Sequence, residues 1–169
     1  MSIFTQIAAI LFACLIPGVA VADEADFLTS LHGNWAGEGM VTIRIGFKPI
    51  GVSCAFSSTG NGNSFSMNGN CRGLLIINRA ISAKLQANGT RYSGVYIGPS
   101  GGRSLLSGTR SGDTINLTVR WAKEVNGDFA ANMLIRKTGE NSLSLLTNDR
   151  DPKTGRNVMT SDIVLQRRL

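Results

Sequence analysis

The sequence predicts an all-β protein: an antiparallel up-and-down meander, closed as a barrel of about 8–10 strands and preceded by a short helix. Three observations predict it. Apolar and polar residues alternate with period two along most of the chain, short turn signals separate the runs, and no helical pattern recurs between them. Parallel strands need crossover connections of a dozen or more residues, so the absence of such helices favours hairpins throughout.

Residues 1–22 carry no Asp, Glu, Lys or Arg, run apolar from Ile7 to Ile16, and close on Ala20-Val21-Ala22. This layout is typical of a secretory signal peptide with a small-residue cleavage site. We expect cleavage before Asp23, a single barrel domain over residues 23–169, and a periplasmic or secreted location. A lipoprotein acylated at Cys14 is the alternative.

The segment from Asp23 to Leu31 predicts a short helix. Phe27, Leu28 and Leu31 share one side of it, and acidic residues occupy its first turn, where the helix dipole favours negative charge. We expect this helix to cover one end of the barrel.

The strands are predicted from the alternation of apolar and polar residues. Trp35, Gly37, Gly39 and Val41 begin one phase, and later runs repeat the pattern at Val52, Cys54, Phe56; at Phe65, Met67, Cys71; at Ile115, Leu117, Val119, Trp121; at Ala131, Met133, Ile135; and at Ile163, Leu165. Turn residues lie between the runs, at 59–63, 88–89, 111–113, 138–141 and 151–157.

Two hairpin registers follow from the turns. If the loop at Gly60 to Asn63 folds its flanks back symmetrically, Cys54 comes opposite Cys71, which predicts a disulfide in an oxidising compartment. A pair of buried free thiols is the alternative. If Asn88-Gly89 forms a two-residue turn, Leu85 comes opposite Tyr92 and Ile81 opposite Tyr96.

Small residues recur on the phase that faces the interior: Gly37, Gly39, Ala83, Gly94 and Ala131. They have two readings. Either they leave room for a ligand inside the barrel, or they relieve strand curvature around a filled interior. The sequence leaves both open.

The charge is positive, with 17 basic and 11 acidic residues giving +6. No acidic residue occurs between Glu38 and Asp113, whereas Arg44, Lys84 and Arg91 are among the bases in that stretch. Such a surface attracts anions such as lipid headgroups, acidic glycans or acidic proteins. A solvated basic face without a ligand is the alternative, and an exported location disfavours nucleic acid.

These features predict a non-catalytic envelope barrel that binds an amphipathic or anionic small molecule, a lipid or a glycan. Arg79, taken as the one basic residue on the inward phase, is the candidate anchor, with Tyr92, Tyr96 and Trp121 as lining. The alternative is a protein-interaction module, such as a peptidase or lysozyme inhibitor or an envelope assembly factor, that uses the loops at 98–102 and 149–157.

No catalytic motif has its required context. Gly98 to Gly102 spells G-x-S-x-G, but a nucleophile elbow needs a helix after it, and the residues that follow predict another strand. No cluster of Cys and His predicts a metal site. We therefore expect no enzyme activity, no cofactor and no metal.

The segment from Leu31 to Gly39, LHGNWAGEG, resembles the calycin pattern of lipocalins, fatty-acid-binding proteins and avidins. In that superfamily the Trp closes one barrel end beneath an Arg of the last strand, which implies a structural pair of Trp35 with Arg167 or Arg168. The segment also resembles nitrobindin-like haem barrels, which bind iron through a late-strand His. The only His here, His32, precedes the first strand, so we expect no haem.

Overall fold

A computed structural model describes residues 19–168 except 75 and 76. It confirms the predicted fold: ten antiparallel strands form a closed barrel with one short helix at the N-terminal side. The predicted apolar run of the signal peptide and Cys14 lie outside the described residues. Within the part that is described, no helix is long and apolar enough to span a bilayer.

The helix α1 covers Val19–Ser30. The strands are β1 Gly33–Val41, β2 Ile50–Asn61, β3 Ser64–Gly73, β4 Ile77–Asn88, β5 Arg91–Ile97, β6 Arg103–Ser111, β7 Thr114–Val125, β8 Asp128–Gly139, β9 Ser142–Arg150 and β10 Asn157–Arg168. Each strand pairs with its neighbours in sequence, and β10 returns to pair with β1. Closure leaves no free sheet edge.

Helix α1 packs against one end of the barrel, as predicted. Phe27, Leu28 and Leu31 are buried in the core. The helix lies very close to β2, because a Cβ atom added to Gly60 would stand 1.8 Å from the Leu28 carbonyl oxygen. It begins at Val19, four residues before the expected mature N-terminus.

Trp35 and Arg167 close the same end. They lie directly opposite each other in the β1–β10 pair, with the guanidinium carbon 4.2 Å from the centre of the indole ring. The indole Nε1 donates to the Leu31 carbonyl at 3.2 Å and to Ser58 Oγ at 2.9 Å. Arg167 donates to the carbonyls of Ser30 and His32. The partner of Trp35 is thus Arg167, whereas Arg168 points away and is exposed.

One predicted register is confirmed and one is wrong. Cys54 lies opposite Cys71, and their sulfurs form a disulfide. In the β4–β5 hairpin, however, Asn88 pairs with Arg91, so the two-residue turn is Gly89-Thr90 and Ala83 comes opposite Tyr96. The turn needs positive φ at its first central position, and Gly89 supplies it with φ of 54°.

The inward glycines serve strand curvature. A Cβ atom at Gly37 would stand 1.9 Å from the Val164 carbonyl oxygen, and one at Gly108 the same distance from that of Asn116. The neighbouring strands therefore coil too tightly for a side chain at these points. The alternative that these glycines enlarge the interior is not supported.

We expect the isolated protein to contain the Cys54–Cys71 disulfide. Peptide mapping under non-reducing conditions should recover the linked peptides, and alkylation of either thiol without reduction would contradict this. The two residues are 17 positions apart, so in the chain-entropy model the Cys54→Ser/Cys71→Ser double variant should lose about 3 kcal/mol of unfolding free energy.

We expect Trp35→Ala to lower the unfolding free energy by about 3–5 kcal/mol, because it leaves a large cavity at the closed end. Arg167→Ala should lower it by about 1–3 kcal/mol, since it removes the donors to two carbonyls at the helix end. The matched control Arg168→Ala should change it by less than about 0.5 kcal/mol. Equal effects of the two arginine variants in chemical denaturation would contradict the pairing.

Candidate functional site at the open mouth of the barrel

The barrel end opposite α1 carries no helix in the described chain. It is surrounded by the loop at 42–49, the facing ends of β3 and β4, the loop at 98–102, the turn at 126–127 and the loop at 151–156. We call this end the mouth. Nearer α1, inward side chains such as Ile115, Leu143 and Leu165 are completely buried.

Towards the mouth the burial of inward side chains becomes incomplete. Seven apolar side chains pack on the core but remain partly exposed: Val41, Val52, Ile81, Tyr96, Trp121, Met133 and Leu145. A ten-stranded barrel has a wider interior than the eight-stranded barrels that side chains just fill. The inward apolar side chains in the half of the barrel nearer the mouth are therefore only partly covered.

Two aromatic side chains meet in this half. The rings of Tyr96 and Trp121 lie 6.1 Å apart at an interplanar angle of 59°, an arrangement that aromatic pairs prefer over face-to-face stacking. Ser104, opposite Tyr96, accepts the backbone N–H of Ala122 at 3.2 Å. The indole Nε1 of Trp121 is buried and has no hydrogen-bond partner among the described residues.

Asp149 is a second polar group in the mouth, and it is 3% exposed. Its Oδ2 accepts from Thr160 Oγ1 at 2.6 Å and from Asn126 Nδ2 at 3.3 Å. Its Oδ1 is buried and finds no partner in the described part of the chain. A β-bulge between Met159 and Ser161 interrupts the β9–β10 register here, and bulges commonly redirect side chains next to functional sites.

Asn126 connects Asp149 to the loop at 42–49. Its Oδ1 accepts the backbone N–H of Ile45 at 3.0 Å. Asn126 and Gly127 have φ of 55° and 85°, so they form the two-residue turn between β7 and β8. This hydrogen bond fastens the loop from β1 to the opposite wall of the mouth.

The four predicted lining and anchoring residues occupy different heights. Tyr96 and Trp121 lie together in the mouth. Arg79 is opposite Cys71 near the start of β4, and its side chain is exposed on the rim. Tyr92 is buried at the closed end, where its hydroxyl bonds to Glu24 of α1. Alternation gives the face of each residue correctly but not its height along the barrel.

Arg79 is not the only basic residue on the inward phase, contrary to the sequence interpretation. Arg110 lies opposite the buried Ile115 and donates to Glu24 at 2.9 Å and to Asp23. Its guanidinium carbon also stands 4.6 Å from the centre of the Phe27 ring. This cluster fastens α1 to the barrel wall.

The other sequence features lie where they add little to the mouth. His32 is exposed at the closed end, away from the mouth. Gly98 to Gly102 forms a hairpin loop before β6, without a helix after it. Among the described residues, no group of three or more His, Cys, Asp or Glu could hold a metal ion.

Two grooves lie on the outer wall. One, of about 460 Å³, is lined by Asp128, Ala130, Asn132, Asn148, Arg150 and Asn157 among others, and one of about 420 Å³ by Ser82, Lys84, Gln86, Ser93, Ile97 and Arg103 among others. Both are open to solvent, and their lining side chains belong mostly to the outward phase, with Ala131 and Leu85 as inward exceptions. Neither includes the unpartnered polar atoms of the mouth.

Comparison with known proteins supports the fold. The crystal structure of Rv2717c from M. tuberculosis is similar over 92% of this chain and 100% of that chain, with a TM-score of 0.66 and 21% sequence identity. No protein-family model matches the sequence, and no curated protein matches it. A likeness at this identity shows the barrel fold alone.

We expect neither tyrosine of the folded protein to titrate near pH 10. Burial raises the pKa of Tyr96 to about 12, and burial and the Glu24 hydrogen bond raise the pKa of Tyr92 above its usual range. The neutral tyrosines therefore make their full contribution to the unfolding free energy below pH 10.0, the pKa of tyrosine in the unfolded chain. This contribution is lost as the pH rises from there towards about 12.

The measurement is absorbance at 295 nm during alkaline titration. The chain has two tyrosines, so Tyr96→Phe should leave one residue that ionises only as the protein unfolds. An ordinary transition near pH 10 in the folded protein would contradict the raised pKa values of the two tyrosines.

We expect Asn126→Gly to free the loop at 42–49. Glycine keeps the positive φ of the turn but removes the acceptor for the Ile45 amide. Hydrogen exchange of the Ile45 amide should accelerate at least about tenfold. In the variant, the loop opens without breaking this hydrogen bond, which contributes about 1.5 kcal/mol. The amide of Lys137, bonded to the Asp113 carbonyl at 2.9 Å, should exchange as before. Unchanged protection at Ile45 would contradict the fastening role.

Proposed function

We propose that this barrel is a non-catalytic binding protein for an amphipathic, lipid-like small molecule. The apolar part of the ligand occupies the open half of the interior, and its polar part lies at the mouth. The observation that carries the proposal is the combination found there: seven inward apolar side chains left partly exposed, next to two buried polar atoms that have no partner among the described residues. Such a surface is typical of a small-molecule site.

The two polar atoms define what the ligand offers. Trp121 Nε1 is a donor and Asp149 Oδ1 is an acceptor. A buried polar group without a partner costs about 1–3 kcal/mol, so ligand atoms that pair with these groups bind favourably. A ligand hydroxyl is able to pair with either group, as donor to Asp149 or as acceptor from Trp121.

Charge decides where an anionic group of the ligand lies. The Asp149 carboxylate disfavours a second negative charge beside it, whereas Arg79 is exposed on the rim. An anionic head therefore lies at the rim near Arg79 and the hydrocarbon lies inside. The apolar lining also favours a lipid over a glycan.

An exported location is part of the proposal. Its support is the signal-peptide pattern of residues 1–22 and the disulfide between Cys54 and Cys71, because disulfides persist in oxidising compartments. The calycin resemblance is compatible with the same ligand class.

The test is displacement of N-phenyl-1-naphthylamine, a probe that fluoresces in apolar sites, by dodecanoic acid, dodecanol and monododecanoylglycerol. We expect Ala83→Phe to weaken binding more than about tenfold, because Ala83 faces inward opposite Tyr96 and a phenyl ring fills the space. The matched control Ala80→Phe places the same ring on the exposed outer face of β4 and should leave affinity unchanged. Both variants are compared at equal folded fraction.

Retained binding in Ala83→Phe would contradict an interior site. Failure of the natural protein to bind any of these small amphiphiles would favour the alternative of a protein-interaction module. Because hydrocarbon burial is not screened by ions, the interior affinity should persist at about 1 M salt.

A further inference from the structure

We propose that the mouth is a docking surface for an anionic membrane, from which the barrel takes up its ligand. The site of docking is a ring of exposed apolar and basic side chains, which we call the rim. The uptake step rests on the function proposed above, whereas docking itself does not.

The apolar part of the rim stands out in the distribution of exposed residues. Ten large apolar side chains in the described chain are exposed, and eight of them belong to mouth connections or to strand ends there: Met40, Ile43, Phe47, Leu74, Ile77, Ile97, Phe129 and Met159. Phe47 is 65% exposed and Ile43 is 69% exposed. Large apolar residues grouped on one surface mark membrane or protein contacts.

The basic part of the rim surrounds these residues. Nine exposed bases lie on the same connections and strand ends: Arg44, Lys48, Arg72, Arg79, Arg103, Lys123, Arg150, Lys153 and Arg156. Arg44 lies over the Phe47 ring at 5.7 Å, so one cation and one apolar side chain project from the same loop. The exposed or half-buried acids there are Glu124, Asp128 and Asp151. The excess of cations is complementary to anionic lipid.

The closed end is nearly balanced in charge, with six bases and five acids among the described residues. Asp23, Glu24, Asp26, Asp113 and Glu140 lie there, alongside bases such as Arg91 and Arg168. Lys84 lies on the outer wall, so the bases of the acid-free stretch are spread over the height of the barrel. The excess positive charge and the exposed apolar residues coincide only at the mouth.

The shape of the rim favours a bilayer over a protein partner. The apolar side chains project from several separate connections around an opening and do not line one groove. A flat surface can contact all of them at once, with aromatic and aliphatic tips in the headgroup region and bases against anionic phosphates. Docking in this orientation places the opening of the apolar interior directly on the lipid.

The experiment is flotation with vesicles made of equal parts phosphatidylglycerol and phosphatidylcholine, compared with pure phosphatidylcholine, at about 0.1 M salt. We expect binding to the anionic vesicles only. Lys153→Glu/Arg156→Glu should weaken it at least about tenfold, because two rim cations become anions. Arg91→Glu/Arg168→Glu makes the same change in net charge at the closed end and should weaken it much less.

A second pair of variants tests the apolar part. Phe47→Ser/Phe129→Ser should weaken binding to anionic vesicles at least about tenfold, whereas Leu105→Ser, an exposed residue on the outer wall, should not. Equal losses in the two charge-reversal variants would show unoriented attraction by net charge and would overturn the proposal. Rim-dependent dimers in gel filtration, without vesicle binding, would assign the rim to a second copy and would also overturn it.

Ala83→Phe separates this proposal from the preceding one. It blocks the interior and leaves the rim intact, so its vesicle binding should equal that of the natural protein while small amphiphiles no longer bind. Failure of the interior site with intact docking would refute the proposed ligand site alone. Normal amphiphile binding without docking would refute the membrane surface alone.

Discussion

The contact between Trp35 and Arg167 is the interaction on which the rest of the structure depends. The two residues face each other in the β1–β10 pair that closes the barrel. The same arginine donates to the carbonyl of Ser30, the last residue of α1, and the same indole donates to the carbonyl of Leu31 directly after it. Carbonyls at the end of a helix have no partners within the helix. Closure of the sheet, the position of the helix and the filling of one barrel end are therefore coupled. Loss of either side chain affects all three.

This coupling explains why the two ends of the barrel differ. At the closed end, apolar side chains of α1 fill space that the side chains of a ten-stranded barrel do not fill by themselves. Arg110 of β6 also forms an ion pair with Glu24 of α1. No second helix covers the other end in the described chain, so the side chains there remain half-exposed. The loop at 42–49 covers the mouth only in part, through one side-chain hydrogen bond at Asn126. The closed end is thus the more stable end of the barrel, and the mouth is the end at which a ligand can enter. Binding regions of proteins commonly lie in their less stable parts.

Sequence periodicity predicted the sheet and the helix at its end because these depend on which face a residue occupies. The disulfide was predicted from the register that the loop at Gly60 to Asn63 sets. A period of two states the face but contains no information on height, which is why Tyr92 and Tyr96 were grouped although they lie at opposite ends. Height depends on register, and register depends on one glycine: with Gly89 first in the turn, every pairing in that hairpin shifts by two residues. The Asp149 cluster escaped prediction because a bulge near Thr160 breaks the alternation. The Asn126-Gly127 dipeptide was its one available signal.

The chemistry of the mouth imposes a direction on any amphipath that binds there. Cations on the rim attract a negative head over a distance of about 10 Å at moderate salt, before the ligand touches the protein. Farther in, the wall is apolar and the buried carboxylate of Asp149 repels the same head. The tail meets no such barrier, because its burial depends on removing hydrocarbon from water and not on ions. The rim therefore governs the rate of association with an anionic ligand or a membrane. The interior governs the rate at which the hydrocarbon tail dissociates. An anionic head group that stays at the rim also remains beside the lipid phosphates on which the rim is proposed to dock. The ligand therefore enters and leaves in the same orientation and does not turn around inside the barrel.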